Sequence, residues 1–271
     1  MRHPLNSPLG RFGIDTLELS DERCVSSIAA QGLINPLTGL PTLATLTVLV
    51  DHACGLVNHH RRGPEEWTVS TELALELSPE AAATIAARPD IRVVATARPT
   101  GEKGDTALGR CRLSHGPTVI GVGTVRSVHL HSPEHAAANP GLNNIEHLPD
   151  DLSPRTGLAD MMAVSAGTPG EPVLLQHRDA VINNSMGVIH GGIASAGMEL
   201  VSSAALNAGR ATNPLATASI RVNFLRPFIA GERSRYTATV LHAGRRSGVA
   251  DAQAIGDDDK AALLARVTAY C

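Results

Sequence analysis

The stretch Thr71-Glu-Leu-Ala-Leu-Glu-Leu-Ser-Pro79 alternates apolar and polar positions, and Ser219-Ile-Arg-Val-Asn-Phe-Leu-Arg-Pro227 repeats the pattern 148 positions later (227 − 79 = 148). A period of two predicts a half-buried strand in each place. Upstream of each lies a stretch without Asp, Glu, Lys or Arg, at 24–50 and 180–198. Within it, a run of small and apolar residues reaches a carboxylate at its tenth position. The runs are Thr42 to Asp51 and His190 to Glu199, at the same spacing (190 − 42 = 148). A run with no polar face predicts a helix enclosed by protein rather than lying on its surface. The two helices are expected over 42–59 and 192–208. A carboxylate inside an enclosed helix is expensive to bury, so Asp51 and Glu199 stand out.

The same reading extends to whole units. A strand is expected ahead of each helix, at 23–30 and 172–179, with a turn rich in Asn, Gly and Pro between them. Strands follow at 67–77, 92–98, 107–114 and 118–130, and again at 215–225, 232–242, 247–255 and 262–270. Gly244-Arg-Arg and Gly256-Asp-Asp-Asp mark hairpin turns. The later strands match at a shorter spacing, 141 rather than 148 (237 − 96 = 141), so the first copy carries an insertion after Pro79. A short helix is expected there, with Ser78 as N-cap and Pro79 as its first residue. A second short helix is expected from Leu158. The proline- and asparagine-rich segment 131–156 reads as a linker. The expected architecture is α+β: two tandem units, 1–130 and 157–271, each an antiparallel sheet wrapped around one long central helix.

Composition narrows the function classes. Hydrophobic residues make up 43% but aromatics only 2%, so the core is aliphatic. The net charge of −3 comes without a basic block, which excludes the electrostatic footprint of a nucleic-acid binder. Cys24, Cys54, Cys111 and Cys271 lack CxxC spacing and are expected as free thiols in a reducing cytoplasm. Residues 1–13 lack the apolar core of a signal peptide. Neither uncharged stretch holds the roughly 20 apolar residues of a membrane span. The histidines at 59–60, 129 and 131 read as solvated side chains rather than metal ligands.

The segment Asn184-Ser-Met-Gly-Val-Ile-His190-Gly191-Gly192, followed by an acidic residue on the helix, resembles the PaaI-type hotdog-fold thioesterases. The strand ending at Pro227 and the Gly244-Arg245 hairpin fit the same pattern. The resemblance is good over 172–271 and holds in outline over 23–130, so the chain resembles a double-hotdog, or fused-dimer, member. It implies hydrolysis of acyl-CoA thioesters at sites between the two units. No metal or redox cofactor is implied, and coenzyme A enters only as part of the substrate. A helix N-terminus would polarise the thioester carbonyl, and a carboxylate would activate water or attack directly.

Two composite sites are then expected. The first joins Asn184, His190, Gly191 and Gly192 to Asp51 and a hydroxyl near Thr71, with Thr68 and Ser70 as neighbours. The second joins the divergent turn Asn35 to Gly39 to Glu199 and Thr217. The first keeps the full loop and is expected to be the working one. Arg226 and Arg245 are candidates for the phosphates of coenzyme A. Two other readings stay open: a non-catalytic acyl-CoA binding or sensing protein, and a hotdog dehydratase or hydratase, whose Asp–His loop spacing is not found here. The pair supplies a pseudo-dimer within one chain, and edge-strand or back-to-back association offers a route to larger homo-oligomers.

Overall fold

The computed structural model describes residues 1–134, 155–210 and 212–271. The linker expected at 131–156 lies mostly outside them. In chain order the elements are α1 (Pro8–Arg11), β1 (Asp15–Leu19), β2 (Cys24–Ile28), α2 (Leu46–His60), β3 (Glu66–Leu77), α3 (Ala81–Ala87), β4 (Val93–Thr100), β5 (Thr106–His115) and β6 (Thr118–His131). After the linker come α4 (Leu158–Met162), β7 (Val164–Ala166), β8 (Val173–Gln176), a 3₁₀ turn at Ala180–Ile182, α5 (Gly191–Asn207), β9 (Ala216–Phe224), β10 (Arg235–Ala243), β11 (Ser247–Ile255) and β12 (Ala261–Tyr270).

The twelve strands of the described residues join one sheet in the order β1-β2-β4-β5-β6-β3-β9-β12-β11-β10-β8-β7, with antiparallel pairing throughout. Read inward from either edge the connectivity is the same. Six strands from residues 15–131 meet six from residues 164–270 at the β3–β9 pair. There Leu73 lies opposite Val222 and Leu75 opposite Ile220, all four buried, so the apolar core runs on across the junction.

The helices occupy the inside of this sheet. α2 packs on β2, β3, β4, β5 and β6, α5 on β8, β9, β10, β11 and β12, and the two helices pack on each other. Val48, Leu49, Val50, Ala53, Cys54 and Val57 on α2 are fully buried, as are Ile193, Ala196, Met198, Leu200 and Val201 on α5. The enclosed helices expected from the uncharged runs are therefore present. Burying each Leu, Val or Ile side chain stabilises the fold by about 1.5–3 kcal/mol relative to exposure. Among the described residues no helix is long and apolar enough to cross a membrane.

Local expectations change at the inserted helix and at the sheet edges. The inserted helix begins at Ala81 with Glu80 as its cap residue, and no side chain caps it. Ser78 instead accepts from the Ala81 amide through its backbone carbonyl. Strand β1 was not expected, because Asp15-Thr-Leu-Glu-Leu is polar at an exposed sheet edge, and β7 is only three residues long. Cys24, Cys54 and Cys111 are free and buried, and Cys271 is free and exposed.

Candidate active site

The Asn184 loop and its counterpart in the first half share one geometry. The Asn184 amide donates to the Val188 carbonyl and the Gly187 amide to the Asn184 carbonyl. The Asn35 amide donates to the Leu40 carbonyl and the Gly39 amide to the Asn35 carbonyl. Gly187 and Gly39 both adopt positive φ (73° and 71°), which a side chain would strain. The first-half turn is longer by one residue. Its asparagine points inward: Asn35 is buried and its amide nitrogen donates to the Leu200 carbonyl at 2.9 Å. Asn184 is half-buried, and its Oδ1 accepts from the Met186 and Val188 amides at 2.9 and 3.3 Å.

After the Asn184 loop, α5 starts beside Asp51 of α2. Gly192 lets the helices meet: a Cβ there would lie 2.6 Å from Val48 Cα and 2.9 Å from the Thr47 carbonyl. At this crossing the Gly192 amide donates to Asp51 Oδ2 at 2.7 Å, and the Ser70 hydroxyl donates to Oδ1 at 3.1 Å. Hydrogen bonds of this kind to a carboxylate are about twice as strong as neutral ones. His190 caps α5, its Nδ1 accepting from the same Gly192 amide at 3.2 Å and standing 3.4 Å from Asp51 Oδ2. Burial holds the His190 imidazole below its ordinary pKa, offset in part by Asp51. With Nδ1 accepting, the proton of the neutral ring resides on Nε2.

Asp51, Ser70, His190 and Gly191 line a cavity of about 1690 Å³. Asn184, Thr71, Phe224 and Arg226 contribute to its walls, so the cavity draws on both halves of the chain. Gly191 lies under the Phe224 ring. Arg226 reaches an ion pair with Asp258 at 3.5 Å and stays exposed at the rim. Arg245 does not line this cavity.

Of the three hydroxyls expected around this strand position, Ser70 is the one on the carboxylate, and Thr71 is not. A register shift in the β3–β6 pairing between Ser70 and Glu72 leaves Thr71 outside the ladder, and its hydroxyl donates to the Arg126 carbonyl at 3.2 Å. At the helix N-terminus expected to polarise a thioester, the Gly192 amide is engaged by Asp51.

The second expected site brings Glu199 and Thr217 together: Glu199 Oε1 accepts from Thr217 at 2.6 Å and Oε2 from Thr42 at 3.1 Å, with the residue 5% exposed. Neither Glu199 nor Thr217 lines the large cavity. Burial raises the Glu199 pKa above its ordinary value, against the two hydroxyl bonds that lower it. A carboxyl with a raised folded-state pKa gives its full stability below its unfolded pKa and loses it as pH rises through the folded value. Glu199→Gln removes that loss. The variant is therefore expected to melt no lower than the parent at pH 7, with an advantage that shrinks toward pH 4.5. Melting curves at both pH values check this, and a variant less stable at pH 7 than the parent contradicts it.

A group not anticipated from sequence flanks the site. His3 Nε2 lies 2.9 Å and His52 Nε2 2.8 Å from the Thr16 hydroxyl, and both histidines line the cavity. Burial lowers the pKa of both. His59, expected in solvent, packs edge-on against Trp67 with ring centroids 4.8 Å apart, and burial pushes its pKa down to about 4. His129 contacts the Thr68 hydroxyl at 3.2 Å. Among the described residues no group of three or more His, Cys, Asp or Glu side chains is placed to hold a metal. A histidine with a depressed folded-state pKa resists protonation that the unfolded chain accepts, so its contribution is present above about pH 6.5 and lost as pH falls toward the folded value. His3, His52, His59 and His190 act in the same direction, and the melting temperature is expected to fall between pH 6.5 and 4. A flat profile across that window contradicts the burial described.

Residues 186–262 match the family model of the thioesterase superfamily. The fold is a hotdog fold, shared with solved structures. The tesB protein of Mycobacterium avium subs. paratuberculosis superimposes with a TM-score of 0.62 at 8% identity, over 99% of each chain. The acyl-CoA thioesterase II TesB2 of Mycobacterium marinum gives 0.55 at 12% identity, over 96% of this chain and 94% of that one. A conserved protein of Alicyclobacillus acidocaldarius with a hot dog fold gives 0.52 at 9% identity, over 93% and 94%. No curated protein sequence matches the chain.

Proposed function

We propose that the chain is two hotdog units fused in tandem, 1–130 and 157–271, and hydrolyses acyl-CoA thioesters at the site between them that holds Asp51. The observation that carries this reading is Asp51: a carboxylate from one half, held by the helix N-terminus of the other, at the wall of a large cavity. The thioesterase-superfamily match over the loop and helix that hold it supports the chemistry.

In the reaction, a water beside Asp51 gives its proton to the carboxylate as its oxygen adds to the thioester carbonyl carbon. Ser70 and the Gly192 amide orient Asp51 for this step. The developing oxyanion faces the Gly191 amide at the N-terminus of α5, where the helix dipole favours negative charge. Collapse breaks the C–S bond, and the leaving thiolate takes up the proton held by Asp51. The products are a carboxylic acid and free coenzyme A. Asn184 shapes the loop over the bound thioester, and Arg226 at the rim suits the phosphates of coenzyme A. Thr42, Asn35, Thr217 and Glu199 serve the fold in this account.

Thiol release from a panel of acyl-CoA substrates tests the reading. Release by the parent supports it. Binding of acyl-CoA without release contradicts it and favours a binding or sensing protein.

A further inference from the structure

Gly55 sits inside α2, one helical turn beyond Asp51, at the cavity wall. A glycine inside a helix is destabilising relative to alanine. Two structural reasons usually account for one: a positive φ, or a neighbour too close for a Cβ. Gly55 has neither. Its φ is not in the positive range, and a Cβ built on it meets no atom within 4 Å. Gly192, in contrast, is hemmed in by the α2 backbone. The space at Gly55 belongs to the cavity.

Residues four apart share a helix face, and Asp51, Gly55 and His59 all line this cavity, with Leu56 beside them. Val69 and Trp67 of β3 line the same cavity, with Trp67 packed against His59. The loop 184–187 and the exposed Arg226 line it too, and the Arg226 cation suits the nucleotide part of a thioester.

We propose that Gly55 sets substrate specificity: the acyl chain lies along α2 over the missing side chain. The inference rests on the thioesterase reading above and adds the direction of the acyl pocket. With a rise of 1.5 Å per residue, Gly55 lies about 6 Å along the helix from Asp51. With C–C bonds near 1.5 Å in a zigzag, a chain of about five carbons reaches Gly55.

The test compares the parent, Gly55→Ala and Gly55→Leu on acetyl- to palmitoyl-CoA, with a melting curve for each. The parent is expected to favour chains long enough to pass Gly55, of about six carbons or more, over acetyl-CoA. In Gly55→Leu the ratio of kcat/KM for octanoyl-CoA over acetyl-CoA is expected to fall by about 30-fold or more, the scale on which a pocket discriminates by a methylene or two. Gly55→Ala is expected to move the ratio the same way by a smaller factor and to raise the melting temperature by about 2 °C. It carries the test if the leucine variant does not fold. An equal loss at every chain length, or an unchanged profile, overturns the proposal. If the parent releases no thiol, the thioesterase reading has failed, and calorimetric binding of the same panel decides this one. A chain-length-dependent loss of affinity in the variants upholds it, and none overturns it.

Discussion

Asp51→Asn is expected to lower kcat for acyl-CoA hydrolysis by about 10³-fold, within the range that a positioned general base contributes. The substitution keeps the size of the side chain, and its amide oxygen can still accept from the Gly192 amide or from Ser70. It removes the group that takes the proton from water. The structural cost is small, because Asp51 is held by hydrogen bonds rather than by a buried cation. Near-parental melting together with collapsed turnover is the expected signature. A loss of only a few-fold in kcat would move the proton transfer elsewhere, with His190 or His52 as the nearest bases.

The second large effect is expected at the helix crossing. Gly192→Ala forces a methyl group against Val48 Cα and the Thr47 carbonyl, which are backbone atoms of a buried helix and cannot swing aside. Overpacking of this kind costs about 1–3 kcal/mol, and at the upper end the melting temperature falls by roughly 5–10 °C for a chain of this size. The strain also falls on Asp51, since the same glycine's amide holds its carboxylate and the new methyl would stand 3.0 Å from Asp51 Cβ. A shift of about 1 Å at a reacting group costs on the order of 10²-fold in rate, so activity is expected to fall with stability. Gly191→Ala is the contrasting variant. Its methyl meets the Asp51 carboxylate and the Phe224 ring, both side chains. It is expected to lose activity while melting closer to the parent. Equal melting of the two variants, measured by calorimetry, would show that the crossing is looser than described.

Much of this was legible in the residues, for physical reasons that differ by region. The two central helices showed because an enclosed helix has no polar face to disguise its apolar run. The inner strands showed because alternation persists wherever one face is buried. The edge strands escaped: β1 and β7 are short or polar, as edges must be to avoid pairing with other chains. The loop 184–192 and the facing carboxylate were legible as a motif. What each hydroxyl does was not. One extra residue in β3 turns Thr71 away and brings Ser70 to Asp51, and a bulge leaves no mark in composition. The His3–Thr16–His52 contact joins three segments through a strand that the pattern did not reveal. Glu199 matches Asp51 in sequence position, and its bond to Thr217 joins two residues expected together, whereas Thr42 as its second partner was hidden.

The claim that the chain carries one working site is tested most directly by thiol release measured side by side for the parent, Asp51→Asn and Glu199→Gln. The account predicts release by the parent, its near-complete loss in Asp51→Asn, and turnover within a few-fold of the parent in Glu199→Gln. Release that survives in Asp51→Asn and disappears in Glu199→Gln would contradict it and move the chemistry to Glu199.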